Sequence, residues 1–474
     1  MRAAHQQYAL TTAFLSIIPL LSSCAQQTEV ETFVQGAPLH GANGIIFDDQ
    51  DRLHIASVVG REIVVMDRES GAILDRIGPE RGVESPDDLI FAEDGTLYWT
   101  SILTGEVGSL TTQGETRVQA VSLGVNPITF SDDGRLFVAL DFSGDALYEL
   151  DPALAEPPRL IAENLGWLNG MDWGSDGFLY GPIWTTGQVA RVDVETGAIS
   201  SAVDGLGTPA AVKFDSEGHL HVLDSGRGEI VRVDLASGSK EVLTRSVFGA
   251  DNLAFDSSDR LFVSSFVDGS IVEVLSDGST RTVSAGGLIA PGGVAVLPSG
   301  DGESVFVADV LTMKKIDVAT AEVTNAATSM GITEITNPFT VAADGDDLIV
   351  SSWFGAMVQV WNPQSGQVIE AHHFPAIPLD AIRFDGDIVV TELQTASVVR
   401  IFGTNEADRV TIASGLDMPA GLAASEGNLW VTDHVAGGIL QLVASREVLP
   451  EPRLVATNLQ GPEGLAVAED GVLY

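Results

Sequence analysis

Gly170-Met171-Asp172-Trp173-Gly174-Ser175-Asp176-Gly177-Phe178-Leu179-Tyr180, followed by Gly187-Gln188-Val189-Ala190-Arg191-Val192-Asp193, recurs 41 residues later. The second copy reads Ala211-Val212-Lys213-Phe214-Asp215-Ser216-Glu217-Gly218-His219-Leu220-His221, then Gly228-Glu229-Ile230-Val231-Arg232-Val233-Asp234. The same frame starts at Ile45, Leu89, Ile128, Met171, Val212, Leu253, Val294, Val341, Ile382, Leu422 and Leu465. Successive intervals are 44, 39, 43, 41, 41, 41, 47, 41, 40 and 43 residues. A fixed period of this length marks a repeat architecture.

Within each unit a short apolar run, a turn, a second run, a polar loop and two further runs predict four strands. Asp94-Gly95, Asp133-Gly134, Asp176-Gly177, Asp385-Gly386 and Asp470-Gly471 fill the first turn. That pair supplies the positive backbone dihedrals of a tight hairpin. Leu97-Tyr98-Trp99, Leu136-Phe137-Val138 and Leu261-Phe262-Val263 read as buried second strands. No segment holds a helical period. Four strands in about 42 residues make a propeller blade, so the fold class is all-β, tandem β-propellers of about six blades each.

Six plus six blades is the simplest count. It places a first propeller over residues 40–290 and a second over 291–474, the second ending inside its last unit at Tyr474. By this count roughly 60 residues of a parent chain lie beyond that point. Thr28–Val34 resembles a fourth strand and is expected to close blade six, which leaves Thr280–Ser284 for the second ring.

Composition sets limits. The 474 residues carry 24 Lys+Arg against 66 Asp+Glu, a formal charge of −42, with 45% hydrophobic residues and 50 glycines. This is a folded, turn-rich chain rather than an acidic disordered one. Its charge opposes sequence-independent nucleic-acid binding and docking on an anionic membrane surface. One cysteine excludes a disulfide framework and multi-cysteine zinc sites.

That cysteine follows a leader. Arg2 precedes a mostly apolar stretch over Tyr8–Leu21, then Leu21-Ser22-Ser23-Cys24. The stretch is shorter than the roughly 18–20 residues a span requires and reads as a secretory signal. Its end resembles the lipobox of bacterial lipoproteins, which implies a signal peptide over residues 1–23 and lipid attachment at Cys24. Ala25 after it, by resemblance to Gram-negative lipoproteins, implies the outer membrane, facing the periplasm or the cell surface. Residues 24–39 then form a tether.

In a ring of blades the inner strands begin on one face, around a funnel. The residue two before each frame position is expected to point into it. In blades one to six these are Asn43, Asp87, Asn126, Asn169, Ala210 and Asp251. Amides and carboxylates are the ligand set of a hard cation, calcium above all. The ends of the second strands add Asp141, Trp184 and Asp224 to this funnel, and Asp309, Glu392 and Asp433 to the second. Asn-Gly, Asn-Pro and Asp-Asp are also turn chemistry, and a strand-end Asp also braces loop amides. His219 and His221 share one strand face and form a weaker metal candidate; no zincin, nucleophile-elbow or phosphate-loop pattern occurs.

Trp167-Leu-Asn-Gly-Met-Asp-Trp-Gly-Ser-Asp-Gly-Phe-Leu-Tyr180 resembles the Pro-Asn-Gly…Asp-Gly…Leu-Tyr stretch of the regucalcin/gluconolactonase family. The wider repeat is similar to NHL-type and virginiamycin B lyase propellers. The first resemblance implies a divalent metal held by a Glu, two Asn and an Asp, the Asp also acting as general base on a lactone. Asn169 and Asn126 match the two Asn. Asn43 stands where the Glu is expected, and Ala210 where the catalytic Asp belongs. Alanine takes no proton. Two functions remain open: a scaffold binding a small molecule, glycan or protein, and a metal-dependent hydrolase of lactones or related esters. In the second, the metal site is Asn126, Asn169, Asp87 and Asp251, with Asp251 or Asp87 catalytic.

Overall fold

The computed structural model describes residues 31–474 except 248, 300–301, 329–334, 354, 374 and 469. The leader and Cys24 lie outside the described residues. The described residues form ten four-stranded antiparallel sheets, each taken from consecutive sequence. It is a tandem β-propeller. Among the described residues no helix is long and apolar enough to cross a membrane.

Blades one to six have inner strands Ile45–Phe47, Pro86–Phe91, Val125–Phe130, Asp172–Trp173, Pro209–Phe214 and Ala250–Phe255. Each packs beside the next, and the sixth packs back on the first. Apolar burial drives this closure. Phe262 of blade six is buried in one cluster with Ile45, Leu53, Ile55, Val64 and Met66 of blade one. Hiding a side chain of that size is worth about 1.5–3 kcal/mol. Polar groups fix the angle. The Ser264 hydroxyl donates to the Asn43 carbonyl, Ser257 N–H and hydroxyl donate to Asp51, and Arg260 pairs with Glu69 at 2.7 Å.

The closing strand corrects the sequence reading. Thr280–Ser284 pairs with Ile271–Val274 inside its own blade. Of the stretch expected to close the blade, residues 28–30 lie outside the described residues and 31–34 hold no strand. The hairpin partner a few residues upstream costs far less loop entropy than a strand some 250 residues away. What the N-terminal side supplies is a single parallel bridge, Gly36 to Leu288.

Asp-Gly turns behave as the pattern requires. Gly95 and Gly177 each take φ 81°, which a Cβ would resist, and in blade nine Asp385 joins Gly386 at φ 49° and 90°. Trp173 stacks flat on Phe137 of blade three, at 5.6 Å and 3°. Blades seven to ten have inner strands Pro291–Ser299, Thr340–Asp344, Pro378–Phe384 and Pro419–Ser425. Residues beyond them add one isolated bridge, Val467 to Leu473.

Candidate functional site

The funnel of blades one to six is lined as its alternation dictates. Asn43, Asp87, Asn126 and Ala210 are buried, and Asn169 and Asp251 are partly accessible. Asn126 Nδ2 donates to Asp141 Oδ2 at 3.1 Å and to Asn169 Oδ1 at 3.2 Å. Asn169 Oδ1 also receives its neighbour's Gly170 N–H. Two oxygens, Asn43 Oδ1 and Asp141 Oδ1, are buried without a hydrogen-bond partner. Such atoms normally find one.

The carboxylates crowd each other. Burial first, then the charges of Asp251, Asp141 and Asp88, push Asp87 well above the usual range. Burial, with the nearby Asp88 charge, raises Asp251 to about 7. Burial also raises Asp141 to about 7, against the Asn126 hydrogen bond that favours its charged form. Among the described residues no lysine or arginine offsets these three. The Lys213 ammonium, 4.0 Å from Asp172, favours the charged form of Asp88, which burial nevertheless raises.

Asp88 was not singled out by the sequence, although the Asp87-Asp88 doublet marks it. Its Oδ1 accepts Leu89 N–H and Asn252 Nδ2, and its Oδ2 accepts Ile128 N–H of blade three. One carboxylate thereby ties blades two, three and six. Gly44 permits the reach, because a Cβ there would stand 2.5 Å from Asp88 Oδ1. Asp380 repeats the device in blade nine, where its oxygens accept Ala381 and Leu422 N–H. There Ala381 pairs with Val390 as Leu89 pairs with Trp99, so Asp380 matches Asp88 rather than Asp87.

Asp224 is a correction. It is wholly buried and braces the entry loop of its own blade, accepting Gly207 N–H at 2.6 Å and Thr208 N–H at 2.9 Å. It is not a ligand group. Asp309 holds Ile289 and Ala290 N–H, and Asp433 holds Asp417 and Met418 N–H, in the same way. Glu392 is spent on Ala376 N–H, Thr395 and Arg409. Asp141 escapes this fate by one residue. Leu140 pairs with Val125 where Asp224 pairs with Pro209, so Asp141 falls on the opposite side of the strand end. Replacing Asp224 with Ala strands two buried amides and is expected to cost about 3 kcal/mol in chemical denaturation. Cation binding in the funnel should not change.

Trp184 and Trp167 stand exposed at the rim, stacked at 6.0 Å and 29°. His221 is buried against the Phe255 ring, and the Nδ1 atoms of His219 and His221 stand 3.0 and 3.9 Å from Asp215 Oδ2. Among the described residues no three carboxylate, imidazole or thiol groups stand close enough to hold a metal ion. A cation in this funnel therefore has to draw on amide oxygens as well.

No protein-family model matches the chain, and no curated protein matches it. Solved structures similar to it include a streptogramin B lyase, 17% identical over 59% of this chain and 93% of that one, at a TM-score of 0.44. A candidate gluconolactonase is 13% identical over 53% and 91%, at 0.41. The extracellular domain of a candidate hybrid two-component system from B. thetaiotaomicron is 11% identical over 93% and 80%, at 0.36. These are likenesses of propeller architecture alone.

Proposed function

We propose that this chain is an envelope-anchored propeller scaffold, lipidated at Cys24, that binds a ligand and a divalent cation in the funnel of blades one to six. Residues 40–290 would form that propeller, and residues 291–474 belong to a second. The carrying observation is buried Asp87 crowded by the part-buried Asp141 and Asp251, without a compensating cationic side chain among the described residues, together with the unpartnered Asn43 Oδ1. A buried charge is tolerated when paired or when it coordinates a metal. The donor set fits a hard cation, calcium first: carboxylates of Asp87 and Asp251, with amide oxygens of Asn126, Asn169 and Asn43. Asn169 would have to release the Asn126 amide to take part. When bound, the cation neutralises the acids and polarises a ligand oxygen.

Calorimetric titration of the full chain with calcium tests this. We expect a saturable heat that Asn126→Ala removes; the absence of heat with calcium, manganese or zinc would contradict it.

A second reading, lactone or ester hydrolysis, is favoured by one feature. A carboxyl standing near 7, as Asp251 does, is suited to trade a proton at neutral pH. Asp251, with Asp87 behind it, would replace the acid missing at Ala210. Metal-dependent turnover on a lactone panel, abolished by Asp251→Asn, would establish hydrolysis over binding.

A further inference from the structure

The rim of this funnel is uneven. On the loops over blades two to four it carries exposed Leu103, Phe142, Trp167 and Trp184; over blades five and one the corresponding loops carry Arg227 and Arg61. Trp167 occupies the left-handed region at φ 65°, an uncommon and strained place for a bulky side chain. Asp145 enforces it. Its carboxylate accepts the N–H groups of Leu165, Gly166 and Trp167, at 3.0, 2.8 and 3.2 Å. Thr185 then ties the Trp184 turn to the Gly166 carbonyl.

The result is an aromatic surface beside a polar well. Leu168 bridges Ile183, which sets Trp167 across from Trp184. Asn169 follows Trp167 by two residues, and its amide oxygen takes the Asn126 Nδ2 hydrogen bond inside the funnel. Both indoles remain about 40% exposed. Strain, three dedicated hydrogen bonds and solvent-exposed indole are a poor arrangement for stability and a good one for a ligand.

We propose that Trp167 and Trp184 form a stacking platform for a pyranose ring of a glycan, whose hydroxyls turn inward to Asn169, Asn126 and Asp141. This rests on the funnel being a ligand site. A pyranose has an apolar C–H face suited to a broad indole surface and an edge of hydroxyls that both donate and accept. Amides and carboxyls are the partners for such an edge. A quaternary ammonium group is better served by separate aromatic walls. Here the two rings stack on each other, so each keeps only its outer face for a ligand.

The test is titration of the full chain with cellotetraose, chitotetraose and maltotetraose, followed by tryptophan fluorescence and calorimetry, with calcium titrated in parallel. At least one glycan should bind. Trp184→Ala should weaken that binding about tenfold or more. Trp184→Phe should restore part of it, and the calcium heat should survive both changes. Because Trp184 is exposed, its removal should leave the melting curve in place. Silence from all three glycans with the calcium heat intact overturns the platform and spares the cation site. Loss of both signals in the parent chain overturns the reading of the funnel itself. Binding of choline that depends on Trp184, with no glycan binding, overturns the glycan assignment.

Discussion

Without divalent cations, the protein should melt at a lower temperature at pH 8 than at pH 5, and calcium at pH 8 should recover most of the difference. Asp141 and Asp251 stand at about 7 in the folded chain, and Asp87 is also raised. In the unfolded chain all three fall near 4. Between about pH 4 and pH 7 the folded state therefore holds more protons, and stability declines as pH rises through that window. A carboxyl near 7 rather than 4 costs about 4 kcal/mol once ionised; relaxation around it leaves about 2 kcal/mol each for Asp141 and Asp251. Surface acids work the other way. Hydrogen bonds from Ser257 hold Asp51 at about 2, and those from Arg135 hold Glu149 at about 2. Their contribution is present above pH 4 and is lost as pH falls toward 2. Scanning calorimetry from pH 3 to 8 should thus show a maximum near pH 4–5. A flat or rising profile from pH 5 to 8 would show that the funnel acids are already compensated.

Asp87→Asn should separate stability from function. The amide keeps the shape of the carboxyl and removes the charge that Asp251 and Asp141 oppose. The cation-free variant should be more stable than its parent at pH 8. It should also lose the calcium-induced stabilisation, which for the parent should reach about 4 kcal/mol at a thousandfold excess over the dissociation constant. A variant less stable than its parent, still responsive to calcium, would place the cation elsewhere.

The repeat was legible because each blade solves the same burial problem with the same alternation. Funnel positions such as Asp87 and Asn126 followed from counting two residues back from a frame residue. Asp224 did not, because a shift of one residue at a strand end decides whether an acid faces the funnel or a loop. Composition cannot register that shift. In blade nine the same one-residue difference puts Asp380 at the position of Asp88 rather than Asp87. The strand at Thr280–Ser284 was misassigned because Thr28–Val34 has a comparable pattern, and pattern alone says nothing about loop entropy. Asp145 and the strained Trp167 left no signal, since their roles arise from three hydrogen bonds that exist only in the folded loop.

The central claim is that side chains from separate blades make one cation-binding well. Manganese anomalous diffraction on crystals of the full chain tests it most directly. The account predicts a peak enclosed by Asp87, Asn126, Asp251 and Asn43. A peak on the outer acidic surface, with this well empty at saturating manganese, would contradict it.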